Sequence, residues 1–151
     1  MYFLVDNHIV RAANFSNPQS LLTCLDEIEV DEKIATVKSI PIISELLTNY
    51  FDGDVRAIDS IEVRQDGAPF SQKAWKAMRK VRPGKTLSYA DLADRSGSPA
   101  AVRAAGSACA KNAIVLIVPC HRIVKTGGAL GNYAYGLEKK EWLLKHEGAL
   151  A

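Results

Sequence analysis

The chain has 151 residues, of which 48% are hydrophobic and 24% charged, a composition that fits one globular domain or two small ones sharing an interface and excludes disordered and collagen-like classes. The N-terminus lacks the charged-then-apolar pattern of a signal peptide, and the longest apolar run, residues 113–119, is far too short to span a bilayer, so a soluble cytoplasmic protein is expected. The net charge of +2 hides a division: residues 1–67 carry 5 Lys+Arg against 12 Asp+Glu, a net −7, whereas residues 68–151 carry 14 against 5, a net +9.

That asymmetry assigns any polyanionic partner to the second half. Charge alone is equally compatible with a solvated basic face. The three cysteines, Cys24, Cys109 and Cys120, form no CxxC pair, so neither a disulfide framework nor a cysteine-rich zinc site is suggested and no metal is expected. In a reducing cytosol at least one thiol stays free to react.

In chain order, Tyr2 to Val5 and Ile9 to Phe15 read as two short strands around the turn Asp6-Asn7-His8. Ile42 to Phe51 reads as a helix closed near Gly53, and Ile58 to Val63 alternates like another strand. His8 and Cys24 stand alone without metal spacing, so this acidic part is expected to be a support domain without chemistry of its own. The charge shift coincides with the turn-rich stretch Gln65-Asp66-Gly67-Ala68-Pro69, which predicts a boundary between residues 1–67 and 68–151.

Beyond it the spacing of Phe70, Ala74, Trp75, Ala77, Met78 and Val81 predicts an amphipathic helix stopped by Pro83-Gly84. Ser88 followed by Asp91 is a capping signature for a short helix, Tyr89 to Arg95. Gly97-Ser98-Pro99 then turns the chain, with Ser98 expected as N-cap and Pro99 at the first position of a helix from about Ala100 to Lys111. Two short helices around a Gly-containing turn are a helix-turn-helix pattern, though plain packing gives the same pattern. The second is built of small residues with Arg103 as the one large side chain before Lys111. Such a surface suits a minor groove, with the arginine entering the base stack. Tight packing on the protein's own core explains the alanines but not the arginine.

Ile114-Val115-Leu116-Ile117-Val118 reads as a buried strand ended by Pro119, with Cys120-His121-Arg122 immediately after. An imidazole and a guanidinium beside a thiol predict a lowered thiol pKa and nucleophilic reactivity. The competing reading is an inert buried cysteine.

Pro119-Cys120-His121-Arg122 resembles the acceptor box of the O6-alkylguanine-DNA alkyltransferases. The resemblance runs from about Leu47 to Gly148. It takes in Phe70-Ser71-Gln72-Lys73-Ala74-Trp75, Pro83-Gly84 with Ser88-Tyr89, the Arg103 helix, Asn112, Gly131-Asn132-Tyr133, and Lys139-Lys140-Glu141-Trp142-Leu143-Leu144 with Glu147-Gly148. It implies an α+β fold: a small N-terminal α/β domain of ribonuclease H type with a reduced sheet, then a mainly helical domain of winged helix-turn-helix type. It implies direct-reversal repair in which an alkyl group on O6 of guanine, with O4-alkylthymine a further candidate, passes once and irreversibly to Cys120 of a monomer bound to double-stranded DNA. No cofactor is implied, because the damaged base is itself the alkyl donor.

The resemblance also implies residue roles. Cys120 is the acceptor, His121 the base acting through a water, Glu147 its orienting partner, Asn112 the hinge asparagine, and Tyr89 the hydrogen-bond or proton donor to the departing base. Arg103 enters the duplex as the damaged nucleotide rotates out, with Ser88, Ala104, Gly106 and Arg122 as further DNA contacts. The base pocket is implied to be formed by Asn132, Tyr133, Ala134 and Tyr135 with backbone near Ile123, supported by Lys140 and Trp142. The sequence departs from the family pattern at Ala113, where many relatives have proline, at Cys109 in the recognition helix and at Ala134-Tyr135, and many relatives have a further leading strand. Two readings of other classes compete: a thiol hydrolase using Cys120, His121 and Glu147, and a non-catalytic DNA-binding module.

Overall fold

The computed structural model describes residues 1–23 and 34–151, so Cys24 lies outside the described residues. Strand β1 (Tyr2–Asp6) pairs antiparallel with β2 (Ile9–Asn14), from Tyr2 opposite Asn14 to Asp6 opposite Ile9. The reversal between them is tight enough to require left-handed backbone at both Asn7 (φ 51) and His8 (φ 68), the geometry of the hairpin turn whose twist matches that of the strands. His8 is thereby committed to an exposed turn. Helix α1 (Gln19–Leu22) is a single turn, and α2 (Ile43–Phe51) buries Ile43, Leu47 and Tyr50.

The strand expected over Ile58–Val63 does not form. Residues 54–60 run in successive turns, and only Val63 makes a bridge, parallel to Val10. The reason lies in the spacing of what is buried: Ile58 and Ile61 both face the core, and a separation of three puts two side chains on one side of a turn but on opposite faces of a strand.

Helix α3 (Pro69–Arg79) begins on its proline and buries Ala74, Trp75, Ala77 and Met78, the stripe its sequence spacing requires. It ends before Pro83, with Lys80 as C-cap. Gly67 lies so close to Trp75 that a Cβ there would meet the indole at 2.5 Å. Helix α4 (Tyr89–Arg95) starts on Ser88, whose Oγ accepts the Asp91 backbone N–H at 3.0 Å, a cap of the kind that stabilises a helix by about 1 kcal/mol.

Helix α5 (Val102–Ala110) starts later than expected, with Ala101 rather than Ser98 as its N-cap. The backbone N–H of Ala101 instead closes a turn on the Ser98 carbonyl at 2.9 Å. A residue before proline avoids the helical region, so Ser98-Pro99 favours a separate turn ahead of the helix. Trp75 Nε1 donates to the Ala108 carbonyl at 2.9 Å and locks α3 to α5.

Strand β3 (Leu87–Ser88) pairs parallel with β4 (Ile123–Val124), which brings the start of α4 beside the chain leaving Cys120. Helix α6 (Leu137–His146) closes the fold and buries Lys140, Leu143 and Leu144. The result is a mixed α/β molecule with two-stranded sheets and several helices. One buried cluster includes Val10, Ala13, Tyr50 and Ile58 from the acidic half together with Met78, Leu92, Ile114 and Leu116 from the basic half. Among the described residues no helix is long and apolar enough to cross a membrane.

Candidate active site at the Cys120 turn

The apolar run before Cys120 is buried throughout, but it is not a strand. It folds back on itself, with Val118 N–H donating to the Ile114 carbonyl at 3.0 Å and Val115 bridging Val118. This closure needs one residue at positive φ, and Leu116 takes it at 75°. Leu116 is the one residue of the five that is not β-branched, so it meets the smallest steric penalty there. The outer side of the turn is tied to the N-terminal sheet: Ala13 N–H donates to Ala113 O at 2.9 Å, and Val115 N–H to Ala13 O at 3.1 Å. Pro119 then delivers the chain into one tight turn, Cys120–Arg122.

Behind this turn, Glu147 gathers donors from three directions. Its Oε1 accepts from His121 Nε2 at 2.8 Å, from Arg122 Nη2 at 2.8 Å and from the Tyr50 hydroxyl at 2.7 Å, and its Oε2 accepts from Arg122 Nε at 3.0 Å. Burial by itself pushes the carboxyl pKa upward, but the hydrogen bonds and charges of His121 and Arg122 outweigh burial and bring it down to about 2. Glu147 is therefore an anion that can only accept, which places the imidazole proton on Nε2 and leaves Nδ1 as the basic nitrogen. Burial also holds the His121 pKa below its ordinary value, against the opposing pull of Glu147, so the ring is neutral near pH 7. Nδ1 is buried and has no hydrogen-bond partner among the described residues.

Arg122, expected among the DNA contacts, is buried instead. Both faces of its guanidinium are consumed, by Glu147 and by the Val81 carbonyl at 2.7 Å. A buried cation needs a buried anion more than it needs a distant phosphate. The expected lowering of the thiol pKa is also corrected, for a separate reason. Burial pushes the Cys120 thiol up, and the hydrogen bond from Asn112 and the charge of Lys140 offset this only in part. The resting group is a thiol that must be deprotonated to react.

Cys120 opens on a cavity of about 710 Å³ lined by Tyr89, Arg103, Gly106, Ser107, Cys109, Ala110, Asn112, Val115, Asn132, Tyr133, Ala134 and Tyr135. Most of the residues singled out in the sequence thus converge on one space. Asn112 donates through Nδ2 to the Val118 carbonyl at 2.8 Å, fastening the end of α5 to the acceptor turn. Tyr89 receives a hydrogen bond from the Asn132 backbone, and burial raises its pKa, so it holds its proton. The Gly131 backbone passes so near this phenol that a Cβ would stand 2.9 Å from Tyr89 Oη, at a φ of +75° that already favours glycine. Arg103 is exposed at the rim of the cavity on α5, next to the small residues Gly106 and Ser107. Ala104 is half-buried beside it and Ser88 is occupied as the α4 cap; neither lines the cavity.

Lys140 is buried behind the wall, donating to the carbonyls of Ile123 at 2.6 Å and Asn132 at 3.2 Å. Ile123 itself is fully buried and does not line the cavity. Trp142 corrects a further expectation: it is 52% exposed and stacks on His146 at 4.8 Å, away from the pocket. On a helix where Lys140, Leu143 and Leu144 face inward, position 142 necessarily faces outward.

The acidic half, expected to be a support domain without chemistry of its own, reaches the site through three side chains. Tyr50 reaches Glu147, Gln65 reaches Asn112 at 3.0 Å, and Phe15 meets the Tyr135 ring edge-on at 5.5 Å. No local pattern marks these three residues, because their partners lie 97, 47 and 120 positions away in the chain. Among the described residues no group of three or more His, Cys, Asp or Glu side chains is arranged to hold a metal ion.

Residues 69–149 match the family model of the 6-O-methylguanine DNA methyltransferase DNA-binding domain. Over 108 residues the chain is 43% identical to the methylated-DNA–protein-cysteine methyltransferase of Salmonella typhimurium, an alignment covering 72% of this chain and 63% of that one. Over 77 residues it is 48% identical to the human protein of the same name, covering 51% and 37%. It therefore spans less than two thirds of the length of such curated relatives. A crystal structure of Mycobacterium tuberculosis OGT in complex with DNA superimposes with a TM-score of 0.77 at 29% identity, covering 96% of this chain and 84% of that one. The O6-methylguanine-DNA methyltransferase of Pyrococcus kodakaraensis superimposes at 0.69 and 25% identity, covering 95% and 88%. With the match extending from the start of α3 through Glu147, the chain belongs to the 6-O-methylguanine DNA methyltransferase family.

Proposed function

We propose that this protein repairs DNA by taking the alkyl group of O6-alkylguanine, and of O4-alkylthymine by the same chemistry, onto Cys120, once per molecule. The observation that carries the reading is the buried imidazole beside the acceptor: Glu147 pins Nε2–H of His121, so that the free lone pair is on Nδ1, next in sequence to a thiol that opens on a cavity. The thiol proton passes to Nδ1 through a water, and the thiolate attacks the saturated carbon on O6. The S–C bond forms as the C–O6 bond breaks. The electron pair stays with the guanine, which takes a proton from the Tyr89 hydroxyl and leaves as the neutral base, and the proton received by His121 returns through water to restore the phenol. A thioether has no easy route back, so each chain reacts once.

The target carbon is inaccessible in a stacked duplex, and base flipping costs a few kcal/mol. The exposed Arg103 on a small-residue helix suits a minor-groove approach in which its side chain holds the vacated space, with Gly106 allowing close contact. The net +9 of residues 68–151 supplies sequence-independent phosphate attraction. The M. tuberculosis relative crystallised in complex with DNA, which supports the same partner. In this reading α4 and α5 form the helix-turn-helix, residues 68–151 form a winged DNA-binding and transfer domain, and residues 1–67 form a reduced ribonuclease H-like support. The protein acts as a monomer, since a single chain carries the whole constellation. Cys120, His121, Glu147, Asn112 and Tyr89 act in the transfer. Tyr133, Ala134, Tyr135 and Asn132 form the base pocket.

Intact-mass analysis after incubation with duplex containing O6-methylguanine tests the proposal. One methylene of added mass per chain, absent in Cys120→Ser, is the expected result. A thiol recovered unmodified while the lesion disappears would point to a hydrolase instead.

A further inference from the structure

We propose that Gln65 is a positioning residue for the transfer to Cys120: its side-chain amide, set by the Ala113 backbone N–H, fixes which end of the Asn112 amide faces the acceptor. The inference rests on the transfer reading above and concerns a residue in the segment joining the two halves of the chain.

Each carboxamide has one accepting and one donating end, so an unambiguous backbone donor at one point propagates a direction through the pair. Ala113 N–H donates to Gln65 Oε1 at 2.9 Å. The opposite end of Gln65 is therefore the NH2 group, and Nε2 donates to Asn112 Oδ1 at 3.0 Å. Ile114 N–H donates to the same Oδ1 at 3.1 Å. With Oδ1 held by two donors, the Asn112 NH2 must point the other way, where it donates to the Val118 carbonyl at 2.8 Å, two residues before Cys120. Gln65 is itself pinned, since Gln72 Nε2 on α3 donates to its carbonyl at 2.7 Å. The relay thus runs from α3 through the junction to the turn that carries the thiol, and both Asn112 and Cys120 line the same cavity.

A donor aimed at sulfur favours the thiolate. Of the influences on the Cys120 thiol, the Asn112 hydrogen bond is the largest opposing burial. Removing Gln65 leaves Ile114 as the single donor on Oδ1, and the Asn112 amide gains freedom to turn away from the sulfur.

The test measures the rate of alkyl transfer from O6-methylguanine duplex, and the affinity for that duplex, in wild type, Gln65→Leu and Gln65→Glu between about pH 5 and 8. Gln65→Leu is expected to slow transfer roughly tenfold, the equivalent of one well-placed hydrogen bond, without changing duplex affinity. Gln65→Glu carries a signature that a packing role does not. Protonated, the introduced carboxyl accepts from Ala113 and donates to Asn112 as the native amide does; ionised, it can only accept, and faces Oδ1 with a charge. Its rate relative to wild type should be near one at the acid end and fall roughly tenfold as pH rises through the carboxyl pKa, ordinarily about 4.3 and raised by partial burial. A ratio independent of pH overturns the inference, as does a Gln65→Leu rate within about twofold of wild type. Should Gln65→Leu fail to fold, the pH dependence of the Gln65→Glu ratio decides alone. A wild-type chain that takes up no alkyl group would overturn the transfer reading, and this inference with it.

Discussion

The Tyr50 hydroxyl, on α2, donates a 2.7 Å hydrogen bond to the same Glu147 oxygen that receives His121 Nε2–H. That one oxygen therefore binds the acidic half of the chain, the candidate base and the buried guanidinium of Arg122 at a single point. Tyr50 is fully buried, and burial followed by the neighbouring carboxylate raises its pKa, so it remains a donor at every working pH.

Replacing Tyr50 by Phe removes this donor while keeping the ring. The expected cost is about 1–2 kcal/mol of stability, with a transfer rate reduced roughly three- to tenfold because His121 is less firmly oriented. Urea unfolding and single-turnover rates measure the two effects. A variant as stable and fast as wild type would show that His121 and Arg122 alone hold the carboxylate.

Stability should fall in acid through the same network. Glu147 has a folded pKa of about 2, depressed from an ordinary 4.5, so its contribution is complete above about 4.5 and is lost as pH falls toward 2. A displacement of that size corresponds to on the order of 3 kcal/mol at neutral pH. His121 is also depressed from 6.5; the unfolded chain takes that proton first, and a shallower loss therefore begins below about 6.5. Thermal unfolding between pH 8 and 3 should show a plateau, then a shallow decline, then a steep one. A Tm that stays level down to pH 3 would contradict the assigned charges.

Arg103→Ala should separate the duplex from the isolated base. Only in duplex does a displaced nucleotide leave a gap for the side chain to fill, so repair in duplex should slow by roughly tenfold or more while reaction with free O6-benzylguanine is nearly unchanged. Equal losses on the two substrates would assign Arg103 to the pocket and not to the duplex.

Tyr135 lines the cavity, and its ring is held edge-on by Phe15 at 5.5 Å and Tyr133 at 5.9 Å. A methyl group needs little room beyond O6, whereas a benzyl group needs a flat slot that this ring narrows, at a cost of about 1–3 kcal/mol in strain or loop opening. Wild type should react slowly with O6-benzylguanine relative to O6-methylguanine in DNA, and Tyr135→Gly should raise the benzyl rate roughly ten- to hundredfold. An unchanged benzyl rate would show that the ring does not limit the pocket.

Features settled within about one helical turn of chain could be read before any fold was known. The Ser88 cap on α4, the buried stripe of α3, the hairpin reversal at Asn7-His8 and the adjacency of Cys120 to His121 all rest on groups a few residues apart, and each was legible as a local pattern. The tertiary structure decided the rest. It made Arg122 the partner of Glu147, 25 positions away, rather than a DNA contact. It turned residues 114–118 into a closed turn instead of a strand, because all five side chains are buried and Leu116 can tolerate positive φ. It brought Tyr50, Gln65 and Phe15 from the acidic half to the site. A buried charge or amide must find its partner wherever the packed chain presents one, and no periodicity in the sequence records that choice.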